Sequence, residues 1–211
     1  MTAAPESRPR RDTQRGRVRR EQILQVATEK FLAQGFAGVS VDDIVRDVGG
    51  SKTSVYSHFG NKEGLFVAVI EALCDEFLQD VKHIDITGLD AEAGLQCFGR
   101  ALLQSLLQER HIDFQRLVIA ESKRFQALGQ AWFDRGPQQS RALIARFIDG
   151  RQRAGELRPA DPAVAATLFH DMLVFNPTHL ATIGRAPDAE ALERHVQQVV
   201  AFCVRRLSSG G

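Results

Sequence analysis

Cysteine is scarce in this 211-residue chain: Cys74, Cys97 and Cys203 are odd in number and far apart. That excludes a disulfide framework as the organising device. No Cys/His cluster has the spacing of a metal site, so no metal and no cofactor are expected. The start, MTAAPESRPRR, carries no apolar stretch of the kind a signal peptide needs, and no run of 18 apolar residues occurs. A cytoplasmic location is the expectation. Catalytic signatures are missing too. There is no phosphate loop ending in GK[ST], no GxSxG and no HExxH. No Glu is followed three residues later by His, as a di-iron helical bundle requires. These absences exclude the common enzyme constellations, and no catalytic residue is nominated. Alternating Val/Ile/Thr stretches bounded by turns are also lacking, which argues against a sheet. Net charge is only +1, so a strongly basic surface cannot by itself argue for nucleic acid.

What the chain does have is size, helical periodicity and an uneven charge distribution. Its 44% apolar and 25% charged residues are those of a globular protein able to bury a core. The first 62 residues hold 11 Lys/Arg against 7 Asp/Glu, and the remainder 16 against 19. A basic end joined to an acidic body suits a nucleic-acid-binding end attached to something else. Residues 1–17 lack apolar periodicity and read as a disordered basic arm. With Arg8, Arg10, Arg11, Arg15, Arg17, Arg19 and Arg20 in and beside it, that segment is either a solvated tail or a phosphate-contacting arm.

The most informative stretch is Ser40 to Lys62, SVDDIVRDVGGSKTSVYSHFGNK. Ser40 with Asp43 is a helix start signal, and Val41, Ile44, Val45 and Val48 follow at helical spacing. Gly49-Gly50 stops that helix. Ser51 can cap a second helix over Lys52–His58, Gly60 ends it, and Asn61 can cap a third. Two short helices around a glycine turn outline a helix-turn-helix. Val55, Tyr56 and Phe59 can anchor the second helix. Lys52, Thr53, Ser54, Ser57 and His58 are short or polar and predict an outward face that fits a major groove.

These residues resemble the DNA-binding domain of the TetR family of bacterial transcriptional regulators. Phe31, Gly35, Phe36, Ser40, Val41, Ile44 and Gly49 match, as does the run Ser51-Lys52-x-x-Val55-Tyr56-x-His58-Phe59-x-x-Lys62-Glu63 with Leu65. Gly50 departs from the apolar residue usual in the turn, and a looser turn is the expectation. The resemblance implies an all-α protein: a three-helix DNA-binding domain over residues 18–66, then a larger helical ligand-binding and dimerisation domain over 67–211. It implies DNA contacts from Ser40, Ser51, Lys52, Thr53, Ser54, Tyr56, Ser57, His58 and Lys62, with a phosphate on Lys62. It also implies a homodimer on a double-stranded, pseudo-palindromic operator, repression as the default, and release by a small, largely apolar effector.

The first helix is expected over Val18–Gln34 and a fourth from about Asn61 to Lys82, the lever for any signal. Further helices are expected near Ala91–Gln108, Asp113–Arg124, Leu128–Ala154, Pro162–Ile183 and Ala189–Leu207, with a kink or the start of a turn at Gly136-Pro137 in the third of these. Pro177 predicts a kink or an early end near Asn176. Leu192, Val196, Val199, Cys203 and Leu207 step by 4, 3, 4 and 4, close to a coiled-coil seam. The preceding helix is apolar on several faces, Leu168 and Phe175 included. A dimer interface drawn from these seven residues is the expectation, with an intramolecular core as its alternative. An apolar, aromatic set is assigned to the effector cavity that the resemblance implies: Phe98, Leu102, Phe114, Leu117, Trp132, Phe133, Phe169 and Met172, with Glu121. Cys97 and Phe125 lie in the same region, and His170, His179 and Asn176 are further polar candidates. The competing readings are a regulator that senses oxidants through a cysteine, and a helical enzyme or adaptor that does not bind DNA.

Overall fold

The computed structural model describes residues 14–207, and the chain divides into two compact units at Val69/Ile70. Regular structure in the described residues is helical, apart from a single bridge residue at Leu157. In the first unit lie α1 (Gln14–Gly38), α2 (Val41–Val48), α3 (Lys52–Phe59) and the start of α4 (Lys62–Phe77).

Helix α1 begins at Gln14, four residues before the expected start at Val18. Apolar periodicity could not reveal this first turn, because its residues, QRGR, are polar; its arginines are good helix formers. Arg8, Arg10 and Arg11 lie outside the described residues. Gly35 (φ 68, ψ 177) breaks the helical geometry where a stop was expected, and Phe36 to Gly38 add a last short piece. The break brings Phe36 beside Phe31 and Phe66, with ring centroids 4.8–6.0 Å apart. With Ile23, Ala27, Ile44, Val55, Leu65 and Val69 they form a buried core. Ion pairs Lys30–Asp47 (2.6 Å) and Lys52–Asp42 (2.8 Å) tie α1 to α2 and α3 to α2.

The second unit holds the rest of α4, then α5 (Gln79–Lys82), α6 (Ala91–Leu106), α7 (Glu109–Ser122), α8 (Gln126–Arg135), α9 (Pro137–Arg153), α10 (Pro162–Thr182) and α11 (Ala189–Leu207). Two of the expected helices divide, the second of them at the Gly136-Pro137 pair where a kink or turn was expected. The fourth ends at Phe77 before the one-turn α5, and Gly136-Pro137 separates α8 from α9, with Pro137 at the first helical position. Helix α6 lies at the centre, packed against α9, α10 and α11. Its Gly94 permits the closest approach: a Cβ there would sit 2.0 Å from the Phe147 ring.

Two expectations for α10 and α11 need correction. First, α10 runs through Pro177 to Thr182 rather than ending near Asn176. Proline removes the N–H that would bond to the carbonyl four residues back, here Leu173. That carbonyl is buried, and His195 Nε2 of α11 reaches it at 2.9 Å. A carbonyl only accepts, so the His195 proton is on Nε2. The helix therefore continues because a neighbouring helix supplies the missing donor. Second, Val196, Val199, Cys203 and Leu207 are buried in the chain's own core against α6 and α10, and Leu192 packs at its edge. Their seam faces inward. The exposed large apolar residues of these two helices are instead Val164, Leu168, Met172 and Phe175 of α10 and Phe202 of α11.

Candidate nucleic-acid interface and interior cavity

Helix α2 is set by its cap. Ser40 Oγ accepts from Asp43 N, and the Asp43 carboxylate accepts from Ser40 N. Hydrogen bonds from the Ser40 side chain and from Arg46 hold the Asp43 carboxyl down to about 2. Ser40 is therefore engaged in the local frame. The turn that follows has positive φ at both Gly49 (76) and Gly50 (91). It is not loose, as had been expected from Gly50. Arg19 of α1 donates to Val48 O at 3.1 Å and to Gly49 O, and its guanidinium fills the space over Gly50. A Cβ on Gly50 would lie 2.3 Å from Arg19 Nη2. The glycine makes room for an arginine that ties down two carbonyls of the turn.

Helix α3 starts at Ser51, whose side chain accepts from Ser54 N at 3.3 Å. Val55 is its buried anchor, and Phe59 is half-buried with the Arg20 guanidinium 5.1 Å from its ring. Thr53, Tyr56 and Ser57 are exposed at i, i+3 and i+4 and form one outward stripe, with Lys52 beside it. Tyr56, expected partly as an anchor, is 43% exposed. Ser54 and His58 are half-buried on the flank of that stripe. Lys62 donates to Phe36 O at 2.6 Å and lies over the Phe36 ring at 4.1 Å, so its ammonium has a structural task inside the unit. Asn61 Oδ1 accepts from Gly64 N at 2.8 Å, which caps α4.

Within the second unit lies a cavity of about 890 Å³, walled by the Ile70–Phe77 half of α4 and by α6 to α10. Among the expected lining residues, Leu102, Phe114, Trp132, Phe133 and Met172 do line it, as do His170 and His179. Phe98, Leu117, Glu121 and Phe169 do not, nor do Cys97, Phe125 and Asn176. Phe98 and Phe169 belong to the packed core on the far side of α6 and α10, Phe98 against Phe147. Periodicity marks both faces of a helix buried on two sides and cannot say which one meets the void. Sequence reasoning missed the polar groups His111, Gln115, Arg141 and Asp171. The signal for the first two was available: His111 and Gln115 sit at i, i+4 on the helix turn that carries Phe114.

Arg141 and Asp171 pair at 2.7 Å, and His170 Nδ1 lies 3.0 Å from the same carboxylate oxygen. Burial holds the His170 imidazole below its usual value, against the pull of Asp171. Burial also drives His111 down to about 3, so it is neutral. Cys74, on the lining, and Cys203, in the core, are buried with thiols pushed up to about 12 and about 11 by desolvation. Such thiols yield little thiolate, the species an oxidant attacks. No helix of the described residues is long and apolar enough to cross a membrane.

A capped helix-turn-helix with an exposed polar stripe, followed by a helical unit built around a cavity, defines a helix-turn-helix transcriptional regulator. The comparisons with known proteins carry this to the family. Residues 23–69 match the bacterial regulatory proteins of the tetR family, and residues 93–207 match the AefR-like transcriptional repressor C-terminal domain. The chain belongs to the TetR family of DNA-binding transcriptional regulators, with an AefR-like C-terminal domain, and is not an enzyme. The transcriptional regulator RutR of Escherichia coli K12 is 33% identical over 184 residues, covering 76% of this chain and 85% of RutR. The transcriptional repressor NicS of Pseudomonas putida is 26% identical, covering 76% and 70%. Among solved structures, a TetR-family regulator of Mesorhizobium loti superposes with TM-score 0.79 at 28% identity, covering 93% of this chain and all of that one. The flavonoid-responsive regulator FrrA gives 0.77 at 25%, covering 92% and 99%.

Proposed function

We propose that the chain is a cytoplasmic, homodimeric repressor that binds a pseudo-palindromic operator and is released by a small, largely apolar molecule. The observation that carries the DNA-binding half is the outward stripe of α3. Thr53, Tyr56 and Ser57 leave the helix on one side, with Lys52 adjacent, while Val55 anchors the other. Small hydroxyls and a phenol at that spacing can meet base edges and phosphates in a major groove. Lys52 leaves Asp42 to do so. Lys62 and Ser40 hold the frame, and Ser54 and His58 contribute at its edge.

Dimerisation is supported by α10. Val164, Leu168 and Phe175 step along it by 4 and 7 and are 55%, 58% and 71% exposed. Phe202 of α11 is 55% exposed as well. Two such helices from each of two subunits would cover these side chains in a four-helix bundle. Leu168 and Phe175 thus remain in the interface, and the inward seam of α11 gives way to its outer face. NicS is named a repressor and FrrA a flavonoid-responsive regulator, in accord with repression and with a small-molecule signal. The cavity is of the size and apolar character that such a ligand needs. The effector acts by population shift. It binds better to a conformation whose two recognition helices no longer match successive major grooves.

The test is fluorescence anisotropy with DNA from upstream of the gene, at two salt concentrations. Specific, salt-sensitive binding by a dimer, lost in Tyr56→Ala, is the expected result. A folded, dimeric protein that binds none of the genomic fragments would refute the proposal.

A further inference from the structure

Helix α3 has little of its own to hold it in one orientation. Of its eight residues only Val55 is buried. Glycines with positive φ flank it on both sides, Gly49 (76) and Gly50 (91) before it and Gly60 (78) after it. Glycine keeps the widest choice of backbone conformation, so neither joint is stiff in itself. The ion pair Lys52–Asp42 ties α3 to α2, but Lys52 gives it up on meeting a phosphate.

Two consecutive arginines of α1 pin both joints. Successive side chains leave a helix about 100° apart, so Arg19 and Arg20 reach different places. At the joint before α3, Arg19 donates from Nη1 to Val48 O at 3.1 Å and from Nη2 to Gly49 O. Its guanidinium occupies the space over Gly50 that a Cβ would need. At the other joint, Arg20 lies over the ring of Phe59, 5.1 Å from its centre and one residue before Gly60. Both arginines are half-buried. A planar fork that bonds two successive carbonyls fixes their orientation as a single donor cannot. Resting on the reading of α3 as the helix that meets the major groove, we propose that Arg19 and Arg20 are positioning residues of operator recognition. They set the aim of α3, and with it sequence-specific affinity, and they do not themselves neutralise phosphates. Releasing a joint lowers the fraction of molecules with α3 correctly aimed, and apparent affinity falls by the same factor. Non-specific binding rests on phosphate charge and is indifferent to that aim.

The test compares DNA from upstream of the gene with a random fragment of equal length, by anisotropy across a salt series. Wild type, Tyr56→Ala, Arg19→Met, Arg19→Lys and Arg20→Leu are measured, with folding checked by circular dichroism. Arg19→Met should bind the upstream fragment roughly tenfold more weakly, the scale of one charge-assisted hydrogen bond. Its affinity for the random fragment and its salt slope should not change. Arg20→Leu should lose about threefold in the same selective way. Arg19→Lys keeps the charge, but one nitrogen cannot stand in for both Nη1 and Nη2, so specific affinity should fall here too; this variant carries the test if Arg19→Met does not fold. Unchanged specific affinity overturns the proposal. So does a salt slope shallower by about 0.9 with both fragments weakened alike, which would make the arginine a phosphate contact. In both cases specific binding by wild type that is lost in Tyr56→Ala leaves α3 as the reading helix. If wild type prefers no genomic fragment over the random one, both readings fall.

Discussion

Replacing His195 by alanine takes the donor away from Leu173 O while Pro177 continues to withhold the usual one. The carbonyl belongs to a residue with no exposed surface, and the imidazole is the donor that reaches it. An unmade hydrogen bond at a buried acceptor costs about 1–3 kcal/mol. For a chain of this size about 2 kcal/mol corresponds to roughly 4–8 °C in Tm. The same substitution in a Pro177→Ala background should cost less than about 1 kcal/mol, because the restored backbone N–H then serves Leu173 O. The coupling is read by urea or thermal unfolding of wild type, both single variants and the double variant at one fixed protein concentration. Equal costs of His195→Ala in the two backgrounds would refute the reasoning. The loss would then be one of packing, and the helix would tolerate Pro177 for some other reason.

Gly50→Val puts a β-branched residue at φ 91 and drives a Cβ into Arg19. It should destabilise the first unit by about 1–3 kcal/mol and weaken operator binding, as calorimetry and anisotropy would register together. Lys52→Gln should leave the melting temperature within error and flatten the salt dependence of operator affinity by about 0.9 in log–log slope; an unchanged slope removes Lys52 from the phosphate contacts. Alkylation of the native protein by iodoacetamide at pH 8 should mark Cys97 first, since Cys74 and Cys203 are buried with raised thiols; rapid mass gain at Cys74 would revive oxidant sensing. His111, at about 3 when folded against 6.5 ordinarily, stays neutral in the native state while the unfolded chain takes up its proton. Its contribution to stability is therefore complete above pH 6.5 and falls as pH drops from there toward 3, by about 1.4 kcal/mol per unit at most. His111→Phe should make the acid limb of the stability profile shallower, measured by chemical unfolding between pH 4 and 7.

Local signals in the sequence determined the helix-turn-helix. Ser40 with Asp43, Gly49, Ser51, Gly60 and Asn61 act through bonds to residues a few positions away, so their order alone places α2, α3 and the start of α4. The same holds for Asp161-Pro162 at the start of α10 and for the helical class of the whole chain, because capping and 3.6-residue periodicity are properties of adjacent residues. Tertiary structure decided what lies far apart in the chain. That Gly50 exists to admit Arg19, 31 positions earlier, is invisible without the packing of α1 on the turn. That Pro177 does not end α10 depends on His195, 18 positions later. Val196, Val199, Cys203 and Leu207 look alike as an inward or an outward seam, since periodicity gives a face but not its partner; the packing of α11 on α6 turns them inward and leaves Val164, Leu168 and Phe175 outside. The cavity follows the same logic. Its aromatic residues were legible as apolar, but which of them border a void depends on segments distant in sequence meeting at one place.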